Sequence, residues 1–460
     1  MKQYELYKDS GIKWLGKIPS HWDIIPLKFN LSLKGRIGWN GLKSDEFKEN
    51  SYAYLVTGQD FDKAEIDWAK CYQIDKDRYD EDPFIQLSNG DLLVTKDGTI
   101  GKVAKVSNLD KPACLNSGIF VVKQTKNAYI QDFLYWTFVS NQLLDFNNFN
   151  SSGSTIQHLY QNVFENMPLV RPSIPEQEKI ASYLNYKVGQ IDMVIAEKEQ
   201  LSNELKKYRS AIINESVTKG LDHNVETKDS GIEWIGAIPK HWKKITIKRV
   251  ISLLTDYDAN GSFSDIAKNC NINIGKPYAW MVRATDLENK RYGIVPGNNY
   301  CDFETYKYLS KSSLSPEDIL IAKRGDIGKS YIVPQCDVPM TLAPNTYLLV
   351  TKKEVIYNWY LYFYLQSEGG VENLRFLNKS TTLGALYKDD VKAMYIPLPP
   401  LDEQKTIAET IKRRIGNIDS TLAEIQSQIE DLKIFKSSII TEGITGKVDL
   451  RDWDTKKENV

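Results

Sequence analysis

The stretch "RGDIGKS", Arg324 to Ser330, ends as a phosphate-binding loop does, with a glycine, a lysine and then a hydroxyl. Such a loop wraps phosphate in successive backbone amides and needs a second glycine five residues ahead of the glycine-lysine pair. Lys323 stands there, so the nucleotide reading fails. "DPFIQLSNG", Asp82 to Gly90, echoes a methyl-donor loop but lacks its clustered glycines, and the sequence has no Asn-Pro-Pro-aromatic stretch to hold a flipped base. No pair of carboxylates with a neighbouring lysine has the spacing of a metal-dependent nuclease. The four histidines, two of them related by a repeat (His21 and His241), are too few for a His-based metal site or triad and read as satisfied structural residues. Cys71, Cys114, Cys270, Cys301 and Cys336 are odd in number and never spaced as CxxC, which points to a reducing compartment and no structural zinc. The expectation is a chain with no catalytic residue and no metal of its own.

The same segments read better as a duplication. "KDSGIKWLGKIPSHW" (Lys8 to Trp22) returns 220 residues later as "KDSGIEWIGAIPKHW", with eleven of fifteen positions identical. "GDLLVTKDGTIGK" (Gly90 to Lys102) returns as "EDILIAKRGDIGK" (Glu317 to Lys329). "STIQHLY" (Ser154 to Tyr160) returns loosely as "TTLGALY", and "IPEQEKIASYLNYKVGQID" as "LDEQKTIAETIKRRIGNID", all three at an offset of 227. Seven residues therefore enter the second copy between Trp242 and Glu317, and two copies of one architecture fill the chain.

The elements that must position these segments follow from pattern. Each copy opens with mixed apolar and aromatic residues broken by Gly, Pro, Asn and Asp, which predicts short strands. The clearest hairpin is Leu92 to Lys96, an Asp97-Gly98 turn, and Ile100 to Val106 as the return strand, with Arg324-Gly325 in the second copy. Helical patterns follow at Tyr129 to Leu144 and Ile356 to Gly370. Both copies then pass prolines (Pro172 and Pro175; Pro397, Pro399 and Pro400) into a long helix. Ile407, Ile411, Ile415, Ile418, Leu422, Ile425, Ile429, Leu432, Phe435 and Ile439 alternate steps of four and three, which is a heptad seam. Ile180, Leu184, Val188, Ile191, Ile195, Leu205, Tyr208 and Ile212 hold the same register, interrupted by Lys198 and Ser202, either as a register device or as a tolerated surface turn. Neither helix, of about forty residues and roughly 60 Å, can bury its stripe alone, so an antiparallel pair is expected. The predicted order is an α+β block over 1–170 with a lead-in at 1–22, a helix over 171–220, a second block over 221–397 with its lead-in at 221–242, a helix over 398–446 and a tail from 447 to 460. The segment "GKVDLRDW", Gly446 to Trp453, resembles the text leaving the first helix, "KGLDHNVETKDSG", so the second helix should run back to the N-terminal lead-in and make the chain nearly cyclic.

Composition sets the outer limits. The 460 residues suffice for two or three domains, and 42% apolar with 26% charged residues is ordinary for a globular protein. No run of eighteen apolar residues occurs and the N-terminus lacks the apolar core of a signal peptide, so no membrane span and a cytoplasmic site are expected. Net charge is −1, divided unevenly: residues 23–170 hold 15 Lys and Arg against 19 Asp and Glu, a net −4, whereas residues 243–397 hold 20 against 16, a net +4. A polyanion would find the second block the better equipped, with partners supplying much of the neutralisation.

Two variable α+β blocks, each followed by prolines, a Glu-Gln pair (Glu176-Gln177, Glu403-Gln404) and a heptad helix, resemble the specificity subunits of type I restriction-modification enzymes. The lead-ins and the hairpin segment are similar to that family's own, and the likeness covers nearly the whole chain. It implies a non-catalytic subunit with two target-recognition domains on an antiparallel coiled coil, reading a bipartite asymmetric site on double-stranded DNA. Two methyltransferase subunits and the restriction or translocase subunits would be its partners, and S-adenosylmethionine, ATP and magnesium would belong to them. On this resemblance Lys96, Thr99, Lys102, Lys323, Arg324 and Lys329 become candidate DNA contacts; solvated lysines on a hairpin edge, which deter strand pairing, are the alternative. Ser154, Thr155, Thr381 and Thr382 are candidates on the same footing, with turn capping as the alternative. Leu184, Ile191, Ile195, Leu205 and Ile212, with Ile418, Leu422, Ile425, Leu432 and Ile439, would form the helix or partner interface. A coiled-coil adaptor without DNA specificity, or the recognition part of a fused methyltransferase-nuclease, are the other readings; the second would need the motifs missing above.

Overall fold

The computed structural model describes residues 2–36, 42–62, 64–150, 158–377 and 385–454. The chain divides into two compact units, Met1–Glu199 with Gln426–Val460, and Gln200–Ile425. Each long helix therefore contributes one part to each unit.

In the first unit the lead-in folds as a hairpin, Tyr7–Asp9 against Lys17–Pro19, and Asp23–Pro26 pairs antiparallel with Pro168–Arg171, so the block closes where it opened. Between them lies a four-stranded antiparallel sheet in the order Val103–Lys105, Leu92–Thr95, Ile119–Gln124, Leu31–Gly35. A second sheet places Ala53–Val56 between Ala113–Leu115, to which it is parallel, and Tyr72–Ile74. Apolar side chains on facing strands, among them Leu55, Leu93, Ala104, Cys114 and Val121, form one core.

The second unit repeats this plan. Thr227–Asp229 pairs with Ala237–Pro239, Lys243–Thr246 with Tyr395–Leu398, and the main sheet runs Ile251–Asp256, Thr346–Thr351, Ile319–Ala322, Ser330–Ile332. Its second sheet again has a parallel pair, Ala279–Val282 with Met340–Leu342. The equivalent strands fix where the extra residues enter. Lys243–Thr246 still stands 220 positions after Asp23–Pro26, but Trp280 stands 226 after Tyr54, each being the partner of the equivalent neighbouring strand. Six of the seven are thus inserted before Ala279, in the stretch that holds the one-turn helix Tyr257–Asn260 and the helix Phe263–Asn269. The latter carries a capping box from Ser262 and Asp265.

The hairpin differs from expectation in its turn. Val103 pairs with Val94, and residues 96–102 form a loop in place of a tight Asp97-Gly98 turn. The side chain of Thr95 closes that loop: its Oγ1 donates to the Thr99 carbonyl at 2.6 Å and accepts from the Lys102 amide at 2.9 Å. Gly98 and Gly101 supply the positive φ angles, +68° and +83°, that bring the backbone round. Ala322 has no hydroxyl to do this, and the second copy keeps the loop through glycines at the same places (Gly325, +78°; Gly328, +82°) and the Gly328 amide on the Ala322 carbonyl at 3.1 Å.

The long helices span Ile174–Lys219 and Leu401–Ile444, 46 and 44 residues, or about 65–70 Å each. They pack antiparallel within each unit. In the first, a Cβ on Gly443 would meet Leu184 at 3.3 Å, Lys436 bonds Asp192 at 2.6 Å, and Lys198 bonds Gln428 at 2.7 Å. In the second, Arg209 bonds Asp419 at 2.7 Å and Arg414 donates to Tyr208 at 3.2 Å. Leu184, Ile191, Ile195, Ile212, Ile418, Ile425 and Ile439 are buried, and Leu205, Leu422 and Leu432 half-buried. Lys198, at the interruption, is a polar tie across the seam. Tyr208 and Phe435 depart from the predicted stripe, each 54% exposed. An α-helix drifts about 20° per heptad from a strict seven-residue pattern, which carries some nominal seam positions outward.

Candidate nucleic-acid interface

What the repeated lead-in builds is a joint. The "HW" that ends each copy grips the glutamate at the start of a long helix: His21 Nε2 lies 2.9 Å and Trp22 Nε1 3.3 Å from Glu176 Oε1, and His241 Nε2 lies 2.9 Å from Glu403 Oε2 while Trp242 Nε1 donates to Oε1 at 3.0 Å. The glutamine beside it ties the block to the same turn. Gln177 accepts from the Ile130 amide and donates to the Ala128 and Pro172 carbonyls, and Gln404 makes the matching bonds with Tyr357, Val355 and Pro399. Burial pushes the Glu176 carboxyl up, but the His21 and Trp22 bonds, the His21 charge and Ser173 outweigh it and hold the group below the usual range. The glycines that leave the helices, Gly220 and Gly446, lie against Trp242 and Trp22 respectively. The C-terminal tail thus meets the N-terminal lead-in, with the Asp449 amide on the Lys2 carbonyl at 2.9 Å.

On this base each block presents its hairpin loop. In the first, Thr99 and Lys102 are exposed and, with Thr57, Gln59, Tyr72 and Asp97, line a cleft of about 540 Å³. Lys96 is half-buried, its ammonium 4.9 Å from the centre of the Phe120 ring. Neither lysine has an ion-pair partner among the described residues. In the second, Lys323 is drawn inward: its side chain is 12% exposed and bonds Asp256 at 3.1 Å and Asp258 at 2.7 Å, with Lys388 on the other oxygen of Asp256 at 2.8 Å. Burial lowers the pKa of Lys323, and the two carboxylates more than restore it, so the ammonium stays charged but is neutralised internally. Lys329 pairs with Glu288 and Asp326. Arg324 is the exposed cation of this loop that has no such partner among the described residues. Ser154, Thr155, Thr381 and Thr382 lie outside the described residues.

Several neighbours of these loops escaped the sequence reading. His158 Nδ1 bonds Asp97 at the loop tip, and the exposed Tyr160 and Tyr387 each follow a leucine whose amide donates to a loop lysine carbonyl. The signal that could have found the tyrosines is the Leu-Tyr pair repeated at the offset of 227.

The seats of the blocks on the helices also differ. In the first unit Asn185 bonds Asp132 and Trp136, each at 2.8 Å, and Lys105 bonds Asp132 at 2.6 Å. At the equivalent positions of the second, Lys412 Nζ lies 3.9 Å from the centre of the Trp359 ring, a cation–π contact. Among the described residues no group of His, Cys, Asp or Glu is placed to hold a metal ion, and no helix is long and apolar enough to cross a membrane.

One frame is thus used twice: an α+β block that offers a glycine-bent hairpin loop and is seated on an antiparallel pair of helix segments. The family model for the type I restriction modification DNA specificity domain matches twice, over residues 41–207 and 239–431, and the chain belongs to that family. It is 24% identical to the type I restriction enzyme MjaVIII specificity subunit of Methanocaldococcus jannaschii, over 97% of this chain and 98% of that one. It is also 24% identical to the EcoBI specificity subunit of Escherichia coli, over 78% and 73% of the two chains. A chain solved in work on complex assembly and conformational transition of the type I R-M system shares the fold, with a TM-score of 0.68, 14% identity and coverage of 94% and 99%.

Proposed function

We propose that this protein is the non-catalytic DNA-recognition subunit of a type I restriction-modification complex in the cytoplasm, and that it reads a bipartite, asymmetric target. The observation that carries this is the pairing of a common frame with different text. The joints, strand order and loop glycines repeat, whereas the residues around the loops do not: Asp97-Gly98-Thr99 becomes Arg324-Gly325-Asp326. Equal frames give equal approach to the duplex, and unequal loops read different bases.

Two methyltransferase subunits would dock on the chain, with restriction or translocase subunits completing the complex. S-adenosylmethionine, ATP and magnesium would be held by those partners, the base to be modified being flipped into the methyltransferase pocket. The net −4 of the first block supports such company, because its 15 cations are outnumbered by 19 carboxylates and much of the phosphate neutralisation would come from the partners.

The test is a block exchange. Residues 23–170 are replaced by the equivalent block of another family member, and methylation is mapped genome-wide in a host carrying the methyltransferase subunit. One half of the methylated motif should change and the other stay. A continuous palindrome, or a change in both halves, overturns the reading.

A further inference from the structure

Tyr160 and Tyr387 occupy equivalent positions and are 61% and 63% exposed. The leucines before them, Leu159 and Leu386, are buried at 0% and 1%, and each leucine amide donates at 3.0 Å to the carbonyl of a hairpin-loop lysine, Lys96 or Lys323. The core and the loop therefore account for the leucine in both copies, whereas among the described residues the tyrosine has a local ring contact in the first copy alone, Tyr160 on His158 with ring centres 4.6 Å apart, where the second copy has Ala385. Helix capping does not account for the tyrosine either. Each tyrosine is the N-cap of a short helix, Gln161–Phe164 or Lys388–Ala393, and neither makes a side-chain cap bond. Asn, Asp or Ser would serve that position better. Meanwhile the neighbours have changed: His158 has become Ala385, Gln161 has become Lys388, and Asn162 has become Asp389. An exposed aromatic side chain, poor at its local task, is kept twice in surroundings that are not kept.

The two blocks read different bases, on the function proposed above, so a side chain common to both must meet what every sequence shares. That is the sugar-phosphate backbone. We propose that Tyr160 and Tyr387 are positioning residues for DNA, one in each half of the target. Each phenol hydroxyl donates to a phosphate oxygen and each ring face packs on the adjoining deoxyribose. The contact fixes the register of the hairpin loop on the duplex and carries no base information.

The experiment uses the complex with methyltransferase subunits and a duplex bearing its methylated motif. Tyr160→Asn and Tyr387→Asn supply the preferred cap, so thermal stability should hold or rise. Affinity should nevertheless fall about five- to tenfold for each, as for the loss of a hydrogen bond and its packing, with the salt slope unchanged because no charge is removed. Phosphate-ethylation interference should disappear at one position in one half-site for Tyr160→Asn and in the other for Tyr387→Asn. Tyr→Phe should lose the same interference with a smaller drop in affinity. Wild-type affinity and interference in the Asn variants overturn the inference, as does a change in the methylated motif. A wild-type complex that shows no sequence-specific binding at all overturns the function on which the inference rests.

Discussion

A methyl group on Gly446 would lie 2.9 Å from Cη2 of Trp22 and 2.5 Å from Cδ of Pro19. The second long helix therefore ends in contact with the first lead-in so close that only glycine fits, and it does so at φ +69°, where other residues are strained. Gly446→Ala should cost about 1–2 kcal/mol for the backbone alone, and more as the lead-in is forced aside. Gly189, in a helix interior with nothing within 4 Å of an added Cβ, is the control: Gly189→Ala should stabilise by roughly 0.5–1 kcal/mol. Urea midpoints of the two variants should move in opposite directions.

Acid should open the first joint. The folded pKa of Glu176 lies below its ordinary value of 4.5, so its contribution is complete above that value and is lost as pH falls through the lower folded pKa. Unfolding followed by the fluorescence of the tryptophans should show stability falling as the pH drops below 4.5. Glu176→Gln should lower stability at neutral pH by roughly 1–3 kcal/mol and flatten the acid dependence.

The two seats should respond to different substitutions. Asn185→Leu leaves Trp136 Nε1 and one oxygen of Asp132 without their 2.8 Å partners, at a cost of roughly 1–3 kcal/mol. Lys412→Met removes the contact with Trp359, about 0.5–1 kcal/mol for a half-exposed pair. Hydrogen exchange should quicken in the helix Gln131–Val139 for the first and in Asn358–Gln366 for the second, each without effect on the other.

Ile418 shares one buried cluster with Trp242, Tyr360 and Ile396. A carboxylate there is buried without a partner, so Ile418→Asp should cost roughly 3–5 kcal/mol. Because helix and block share that core, calorimetry should show them melting together. A block that melts separately from its helix segment would contradict a common core.

How far the site was legible depends on the range of the interactions that make it. The hairpin strands and their loop glycines could be read, since alternation and positive φ are local demands. The length of the loop could not, because it is set by a bond across six residues, the Gly101 amide on the Thr95 carbonyl and the Gly328 amide on the Ala322 carbonyl. Lys323 and Lys96 stand at matching positions in the sequence and read alike. Only the fold brings Asp256 and Asp258, more than sixty residues away, against Lys323, and only the fold sets Lys96 over a phenylalanine instead.

The sequence by itself determined the duplication, the heptad helices, the number of residues gained by the second copy between Trp242 and Glu317, and the absence of a recognisable catalytic constellation. Each of these is written in spacing, and spacing survives without coordinates. The tertiary structure decided the division of each helix between two units, the grip of His21 and Trp22 on Glu176, the different chemistry of the two helix seats, and which loop cations remain unpaired. Most of these rest on contacts between residues that lie far apart in the chain, from 41 positions for Lys329 and Glu288 to 244 for Lys436 and Asp192. Their energies depend on distances of a few ångströms, and no periodicity in the chain records them.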